Sequence, residues 1–377
     1  MAAIPVSSFR EGLPDQLGVL RSMVEMESPT TDKGLIDTLG AWVAARLEEL
    51  GLEIERFPQA KAGDHWLATW GSGSGGVLLM HHLDTVYPAG TIQTTPWAER
   101  DGRAFGPGSL DMKGGIAVTL AALATLHRAG RRPARPVRCL FTSDEETGSH
   151  SSRELLESEA RQRDLVLCLE PAMPDGSLKT SRKGTGLFIV ETIGRAAHAG
   201  NNPGAGINAI LEMAHQIPLV QALAAPAAGT TVSVGVIEGG TRTNVVPERC
   251  RVKVDIRVVE AAERARVEAG LAALHPVLEG ARIETRGGWN RPPMVRTDSI
   301  ASAFERARRI GDGLGLRLTE GAAGGGSDAN FVAALGIPVL DGLGPVGDGA
   351  HSPQEYVEID SLPERAALLA ALLSGQW

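Results

Sequence analysis

The segment GVLLMHHLDTV, residues 76–86, joins a short apolar run to the triplet His82-Leu83-Asp84. A short apolar run that follows a glycine-rich segment is typical of a buried strand. In open α/β sheets, ligands bind beyond the carboxyl ends of the strands, and this triplet stands at such an end. A metal-ligating histidine usually gives its second ring N–H to a carboxylate or carbonyl, which Asp84 offers directly or by supporting the loop. His81 points the opposite way along a strand and is predicted to be structural.

Strand-like and helical segments alternate around this run. The strand-like segments are HWLATW (65–70), VRCLF (137–141) and LVLCL (165–169), and the main helical ones are 33–50, 115–130 and 151–161. Strands that alternate with helices predict a mostly parallel sheet covered on both faces.

The pattern changes after about residue 180. GLFIVETIG (186–194), TVSVGVIEGG (231–240) and CRVKVDIRVV (250–259) alternate in polarity like half-buried strands, with helical segments 207–223 and 260–274 between them. This βαββαβ order predicts a ferredoxin-like α+β layer. A helix opened by a Ser361 to Glu364 capping box, with Pro363 in its first turn, is predicted near the end of the chain.

The length of 377 residues favours two domains, because single hydrophobic cores stop growing at about 250–300 residues. Since α/β segments resume after the ferredoxin-like part, that part is expected to be an insertion. We predict a discontinuous catalytic domain, residues 1–181 and 291–377, and an inserted domain, residues 182–290.

Five potential metal ligands follow strand-like segments or precede a helix at one predicted edge: His82, Asp111, Glu146, Glu170 and His351. Singly each has an ordinary alternative, since a lone histidine is more often a surface or core residue and Glu145-Glu146 is able to cap a helix. A single zinc needs three or four protein ligands, whereas two metals bridged by one carboxylate use the whole set. We assign His82, Asp111 and Glu170 to one metal and Asp111, Glu146 and His351 to the other. Glu145 is then left over as a base.

The composition excludes several classes of protein. Hydrophobic residues make up 43% and charged residues 22%, and the net charge is −8, without a long basic stretch. These values predict a globular protein that binds a small molecule rather than nucleic acid. No signal-peptide pattern and no membrane-length apolar run is visible, which predicts a cytoplasmic protein without membrane attachment. Cys139, Cys168 and Cys250 are expected to be buried thiols, which suits a reducing compartment.

Nine motifs together resemble the zinc-dependent glutamate carboxypeptidase family, which also contains aminoacylases, N-acetylornithine deacetylases and succinyl-diaminopimelate desuccinylases. The spacing is most similar to that of the folate-cleaving glutamate carboxypeptidases. The motifs are MHHLDTV (80–86), GPGSLDMKGG (106–115), FTSDEETGS (141–149), CLEP (168–171), GRAAHAG (194–200), GGTRTNVVPE (239–248), DIRVV (255–259), GGGSDAN (324–330) and GAHSP (349–353).

The resemblance implies an α/β zinc-exopeptidase catalytic domain with a ferredoxin-like lid that also forms a homodimer. It implies that the five ligands bind two zinc ions, that Glu145 is the general base, and that a cis peptide follows Asp111. The zinc sites of such enzymes also accept cobalt or manganese.

The same resemblance implies roles for residues of the inserted domain. His198 matches the histidine that reaches across the dimer and stabilises the developing oxyanion. Asn244 and Arg257 match residues that hold the substrate's amide and carboxylate, and Arg291 is a further candidate for carboxylate binding. Two positions depart from the family pattern: His150, which either alters the pocket or is a solvated loop residue, and Ser151, where relatives often have glycine.

The expected function is metal-dependent hydrolysis of an amide bond that releases a C-terminal or N-acylated amino acid, most simply as a glutamate carboxypeptidase. The substrate is a small peptide or an N-acyl amino acid. One alternative is an N-acyl-amino-acid deacylase or dipeptidase with the same chemistry. Another is a non-catalytic relative, whose mark would be loss of the base or of a bridging ligand. A nucleotide-binding role for GSGSGG (71–76) is not supported, because this segment precedes no helix and is expected to form a hairpin.

Overall fold

The computed structural model describes residues 3–375. They divide into two compact units. The first ends at Ser181 and resumes over Arg296–Ala323 and from Ser327 onward. The second comprises Arg182–Val295 and Gly324–Gly326.

The helices of both units begin and end as follows: α1 (Val6–Glu11), α2 (Leu13–Glu25), α3 (Lys33–Glu49), α4 (Thr91–Thr94), α5 (Gly114–Arg128), α6 (Arg153–Ala160), α7 (Ala209–Gln221), α8 (Ala261–Ala272), α9 (Asp298–Gly313), α10 (Ala329–Ala334) and α11 (Ser361–Ser374). The strands are β1 (Glu53–Phe57), β2 (His65–Trp70), β3 (Val77–His82), β4 (Ala98–Arg100), β5 (Arg103–Phe105), β6 (Val137–Thr142), β7 (Leu165–Cys168), β8 (Leu178–Arg182), β9 (Gly184–Ile193), β10 (Ala197–His198), β11 (Thr231–Gly239), β12 (Val245–Val246), β13 (Arg249–Val258), β14 (Arg282–Arg291), β15 (Glu320–Ala323), β16 (Val339–Leu340), β17 (Gly347–Asp348) and β18 (Tyr356–Glu358).

The first unit is built on a six-stranded sheet with the order β1-β2-β6-β3-β7-β16. Its neighbours β6, β3, β7 and β16 run parallel, whereas β2 is antiparallel to both β1 and β6. Strand β3 is buried along its whole length, as its continuous apolar run predicts for a central parallel strand. The core packs α2, α3, α5 and α11 with the sheet. The predicted mostly parallel α/β domain is confirmed.

The second unit follows the order β9-α7-β11-β13-α8-β14 along the chain. Its antiparallel sheet has the order β11-β13-β9-β14, which is the ferredoxin-like arrangement. Alternate residues of β13, from Cys250 to Val258, are buried and share a core with Met213 of α7 and Val267 of α8. The predicted ferredoxin-like α+β fold is confirmed.

A small antiparallel sheet in the first unit joins distant parts of the chain, in the order β17-β18-β5-β4. Its central pairing sets Tyr356 opposite Phe105 and Val357 opposite Ala104. Strands of two or three residues are too short to show a periodic pattern, so the sequence does not predict this sheet.

Two local expectations are wrong. The segment 71–76 forms no hairpin, because β6 lies between β2 and β3 in the sheet. Ser361 does not cap α11 but is its first residue. Its hydroxyl donates to the carbonyl of Glu358 at 2.7 Å and accepts the N–H of Val346 at 3.0 Å, so it ties the helix to the preceding strands.

One described segment, Ser109–Arg128, is long and apolar enough to cross a membrane, but 78% of its 18-residue apolar window is buried inside the protein. It includes α5, which packs against α11 and α2 in the core. Its apolar composition is therefore accounted for by the core.

Candidate metal centre and active site

Four of the candidate side chains follow neighbouring parallel strands. His82 is the last residue of β3, Glu145 and Glu146 lie in a short turn after β6, and Glu170 is the second residue after β7. Because β6, β3 and β7 are parallel neighbours, their carboxyl ends meet at one edge of the sheet. The fold therefore brings these side chains to the same place.

The other two candidates come from the small antiparallel sheet. Asp111 lies in the irregular turn Ser109–Lys113 that follows β5, and the peptide bond from Asp111 to Met112 is cis. His351 lies in the turn between β17 and β18, with φ of +62°. The pairing of β18 with β5 holds these two turns beside each other.

The five candidate ligands form two sets that share Asp111. In the first set, His82 Nε2 lies 3.1 Å from Asp111 Oδ1 and 3.5 Å from Glu170 Oε1. In the second set, His351 Nε2 lies 3.3 Å from Asp111 Oδ2 and 3.3 Å from Glu146 Oε2. The two oxygens of Asp111 thus face different histidines, which is the arrangement that a bridging carboxylate requires.

These distances fit a metal site. Ligand atoms bound at about 2.0–2.1 Å to a tetrahedral metal are separated by roughly 3.3–3.4 Å, close to the spacings within both sets. Ligand atoms of His82, Asp111 and Glu146 also lie within 4.8 Å of one another across the two sets. Glu146 Oε1 is buried and has no hydrogen-bond partner within residues 3–375, as expected for an atom that faces a cation. The donor set therefore fits bound divalent metal.

The pKa shifts of the two histidines and of Asp111 reflect the attraction between the imidazole rings and the carboxylates. Burial opposes the charged form of His82, but its hydrogen bonds with Asp111, Asp84 and Glu170 raise its pKa well above the ordinary value. Hydrogen bonds with Asp111 and Glu146 raise the pKa of His351 to about 10. Burial alone would raise the pKa of Asp111, but the two histidines hold it far below its usual range. Burial raises the pKa of Glu146.

Asp84 organises the site through both its backbone and its side chain. Its carbonyl oxygen lies 2.9 Å from Nδ1 of His82 and accepts its proton, which leaves Nε2 for a metal. Its carboxylate accepts the backbone N–H groups of Glu145 and Glu146 at 3.2 Å each, and the hydroxyl of Thr30 at 2.7 Å. Of the two expected roles, support of the loop belongs to the Asp84 side chain and orientation of His82 to its backbone.

Glu145 belongs to neither set of ligand atoms. It is 9% exposed and lines a small cavity together with His82, Glu170 and Asp328. A carboxylate beside the ligands is in the position that a general base needs.

Glu355 is a central residue of the site that the sequence did not single out. Glu355 is 2% exposed, and its carboxylate accepts the backbone N–H groups of Gly108 at 2.9 Å, Leu110 at 2.7 Å and Asp111 at 2.8 Å. It also accepts the hydroxyl of Tyr87 at 2.5 Å. The one sequence signal is its closeness to His351, four residues earlier, because the short strand β18 that follows it leaves no periodic pattern.

We expect Glu355→Gln to weaken metal binding by roughly 10- to 100-fold, the usual cost of losing a residue that orients a ligand. The new amide NH₂ would face N–H donors, so the turn that carries Asp111 would lose its anchor. Isothermal titration of zinc into metal-free protein measures the effect. Glu358→Gln is the matched control, because the Glu358 carboxylate bonds to Arg103 instead. An unchanged Kd in Glu355→Gln would contradict this role.

His81 and His150 stand near candidate ligands in the sequence but lie outside the ligand sets. His81 is buried, stacks on Phe141 and bonds to Thr119 Oγ1 at 2.8 Å. Burial lowers its pKa to about 3, so it is a neutral core residue, as predicted. His150 is exposed, which agrees with the solvated-loop alternative.

In the second unit, the short ladder of β10 and β12 brings together His198 and Asn244. His198 pairs with Val245, and the carbonyl of Asn244 accepts the N–H of Ala199 at 3.0 Å. His198 is exposed, and its Nδ1 accepts the backbone N–H groups of Gly200 at 3.1 Å and Asn201 at 3.0 Å. The proton of a neutral His198 ring is therefore on Nε2.

Arg257 and Arg291 occupy one end of the second unit's sheet. Both pair in register with Thr185 of β9, one from each side. Arg257 donates to Asp255 Oδ1 at 3.0 Å and to the carbonyl of Gly324 at 3.1 Å. Arg291 is 8% exposed and donates to Asn290 Oδ1 at 2.9 Å.

Several known proteins are similar to this chain over most of its length. Residues 78–375 match the sequence model of peptidase family M20/M25/M40. The chain is 32% identical to carboxypeptidase G2 of Pseudomonas sp. (strain RS-16) over 374 residues, which cover 96% of this chain and 89% of the relative. It is 28% identical to acetylornithine deacetylase of Pasteurella multocida (strain Pm70) over 378 residues, with 94% of each chain covered. The crystal structure of aminopeptidase PepT from Bacillus cereus ATCC 10987 superposes with a TM-score of 0.78 at 21% identity, over 96% of this chain and 98% of that one.

The match to the family covers most of the chain and includes every candidate metal ligand. The relatives bear out the predicted class of activity, metal-dependent hydrolysis of peptide or acyl amide bonds. This chain belongs to peptidase family M20/M25/M40.

Proposed function

We propose that this protein is a two-zinc exopeptidase of the glutamate carboxypeptidase type, which hydrolyses an amide bond and releases an amino acid with a free α-carboxylate. The observation that carries the proposal is the pair of ligand sets joined by Asp111, with Glu145 beside them. The similarity to carboxypeptidase G2 over nearly the whole chain supports the type of substrate.

Glu145 is the proposed general base. Bound metal ions supply Lewis-acid polarisation of the scissile carbonyl and activate water. Glu145 takes the proton of the attacking water and then passes it to the leaving amine. Asp84 accepts the backbone N–H of Glu145 and so fixes the main-chain position from which the Glu145 side chain extends.

His198 is proposed to stabilise the developing oxyanion at the partner subunit's active site. Because Nδ1 accepts two backbone N–H groups, Nε2 carries the proton that the oxyanion would accept. This fixed tautomer supports the role of a hydrogen-bond donor. The proposal includes a homodimer formed through the second unit.

We expect His198→Ala to lower kcat by roughly 10²- to 10³-fold, which is the usual cost of removing one oxyanion donor. The metal content should not change, since His198 belongs to neither ligand set. Steady-state kinetics with metal analysis by mass spectrometry measure both quantities. His215→Ala removes another exposed histidine of the same unit and is the control. A normal kcat in His198→Ala would refute the role.

Arg257 and Arg291 are proposed to bind the substrate's α-carboxylate, and Asn244 its amide. An arginine presents planar N–H donors that match a carboxylate. Their shared register position opposite Thr185 places two such cations at one end of the same sheet. The positive charge of the two arginines at this end of the sheet suits a small anionic substrate.

A second candidate function is that of an N-acyl-amino-acid deacylase or dipeptidase, which the similarity to acetylornithine deacetylase favours. A substrate panel separates the two. For the first function, N-aroyl- and N-acylglutamates should give a kcat/KM at least tenfold above that of N-acetylornithine and neutral dipeptides. A higher kcat/KM for N-acetylornithine or neutral dipeptides would favour the second function. If the metal-loaded protein turned over none of these substrates, the result would favour a non-catalytic relative.

Three further features are part of the proposal. Zinc is the preferred metal because imidazole and carboxylate ligands suit it, with cobalt or manganese as substitutes. The substrate is a small peptide or N-acyl amino acid. A cytoplasmic location is supported by Cys139, Cys168 and Cys250, which are all buried free thiols.

A further inference from the structure

A buried polar chain lies behind the turn that carries Glu145. His65, at the start of β2, is fully buried, and its two ring nitrogens contact two different serines. Nδ1 lies 3.1 Å from Ser143 Oγ, and Nε2 lies 3.1 Å from Ser151 Oγ. Ser151 in turn contacts Asp144 Oδ2 through both its hydroxyl, at 2.8 Å, and its backbone N–H, at 2.6 Å. This series of contacts thus ends at Asp144, the residue that precedes Glu145.

The proton positions follow from the partners. Ser143 donates its hydroxyl proton to the carbonyl of Gly63, so its oxygen accepts from Nδ1 of His65. Burial lowers the pKa of His65 against the attraction of Asp144, so the ring is neutral and Nε2 is an acceptor. The single hydroxyl proton of Ser151 is therefore donated either to His65 Nε2 or to Asp144 Oδ2, and in both cases the backbone N–H of Ser151 bonds to Asp144 Oδ2. Ser151 is the link between the buried ring and Asp144.

The turn needs such a restraint because its backbone is strained. Gly148 and Ser149 both have positive φ, +106° and +57°, and Ser149 is not a glycine. The N–H of Ser149 bonds to the carbonyl of Asp144 at 2.8 Å. On one side Asp84 holds the N–H groups of Glu145 and Glu146, and on the other Ser151 holds Asp144.

We propose that His65, Ser151 and Asp144 form a positioning chain that sets the orientation of the Glu145 turn, with Ser151 as its adjustable link. The inference rests on the proposed role of Glu145 as the base. It assigns a role to Ser151, which departs from the family pattern, and to His65, which lies outside every family motif. Asp84 fixes the turn at one point, and the positioning chain fixes it at a second point. The turn therefore does not rotate about its contacts with Asp84.

The test is Ser151→Ala, assayed with the substrate that the panel shows to be turned over fastest. We expect kcat to fall about tenfold, the rate equivalent of one lost hydrogen bond, with KM and metal content unchanged. Ser151→Thr restores a hydroxyl and should recover most of kcat. In metal-free protein, amide hydrogen exchange in residues 143–151 should be several-fold faster in Ser151→Ala than in wild type. Ser158→Ala removes an exposed hydroxyl of α6 and is the matched control for all measurements.

A double-mutant cycle tests whether the chain acts as a unit. Adding His65→Gln to Ser151→Ala should lower kcat less than the product of the two single effects. Any one of four results would overturn the inference. Two concern the size of the effect: additive losses in the double mutant, or a kcat within twofold of wild type in Ser151→Ala. The other two are a loss that Ser151→Thr does not recover and a loss explained by missing metal. If Glu145→Gln retains normal kcat, the proposed function itself fails. If Glu145→Gln is inactive and Ser151→Ala is normal, only the positioning chain fails.

Discussion

Glu145→Gln is expected to lower kcat by roughly 10²- to 10⁴-fold, the contribution typical of a general acid–base group. The substitution keeps the size of the side chain but removes its negative charge and its ability to take a proton. Because Glu145 belongs to neither ligand set, the protein should keep its full metal content. Steady-state kinetics and metal analysis by mass spectrometry, on the same preparation, measure the two quantities.

The control for this variant is Glu154→Gln, which changes an exposed carboxylate at the start of α6. It should have normal kcat and normal metal content. A Glu145→Gln protein with normal turnover would show that another group takes the proton. Loss of metal in the same variant would show that Glu145 is a ligand, and the two-set assignment would have to be redrawn.

The second large effect on metal content and turnover is expected from removal of Asp111, the ligand that both sets share. We expect Asp111→Asn to lose most of its bound metal and nearly all turnover, since only Asp111 places one oxygen in each set. Chelation of the wild type should also abolish turnover, and added zinc should restore it. Metal that binds only the folded state adds about 2.7 kcal/mol of stability at 100 times its Kd, so chelation should also lower the Tm by several degrees.

Asp312→Asn is the control for the shared ligand. Asp312 is an exposed residue of α9 that forms an ion pair with Arg308 in the same unit. Metal content, turnover and the change of Tm on chelation should all match the wild type. Asp111→Asn protein that still bound two metals per subunit would exclude Asp111 as the bridge.

The main sheet of each unit could be predicted from the sequence because the strands carry strong signals. In the first unit the buried run of β3 is continuous, and in the second unit β13 alternates in polarity over ten residues. Once β6, β3 and β7 are placed in parallel, the side chains that follow them must meet at one edge. The structure does bring the five candidate ligands together there, and their binding of metal stays a prediction for the experiments above.

The remaining contacts of the site depend on pairings between distant residues. Glu355 bonds to the turn of Asp111, 244 residues earlier, and His65 bonds to Ser151, 86 residues later. No periodic pattern records such pairs, because each consists of single polar residues in irregular segments. The same reason explains Ser361, whose hydroxyl bonds to the preceding strands instead of capping the helix.

The small sheet that pairs β5 with β18 also bears on how the protein is made. During synthesis, Asp111 leaves the ribosome long before His351. Strand β5, which precedes the turn of Asp111, pairs with β18 only after residues 356–358 follow. Glu355, which anchors that turn, appears at the same late moment. The candidate metal site is therefore incomplete until the segment 351–358 has been translated. Binding of a metal by the full set of candidate ligands would have to follow the exit of that segment from the ribosome.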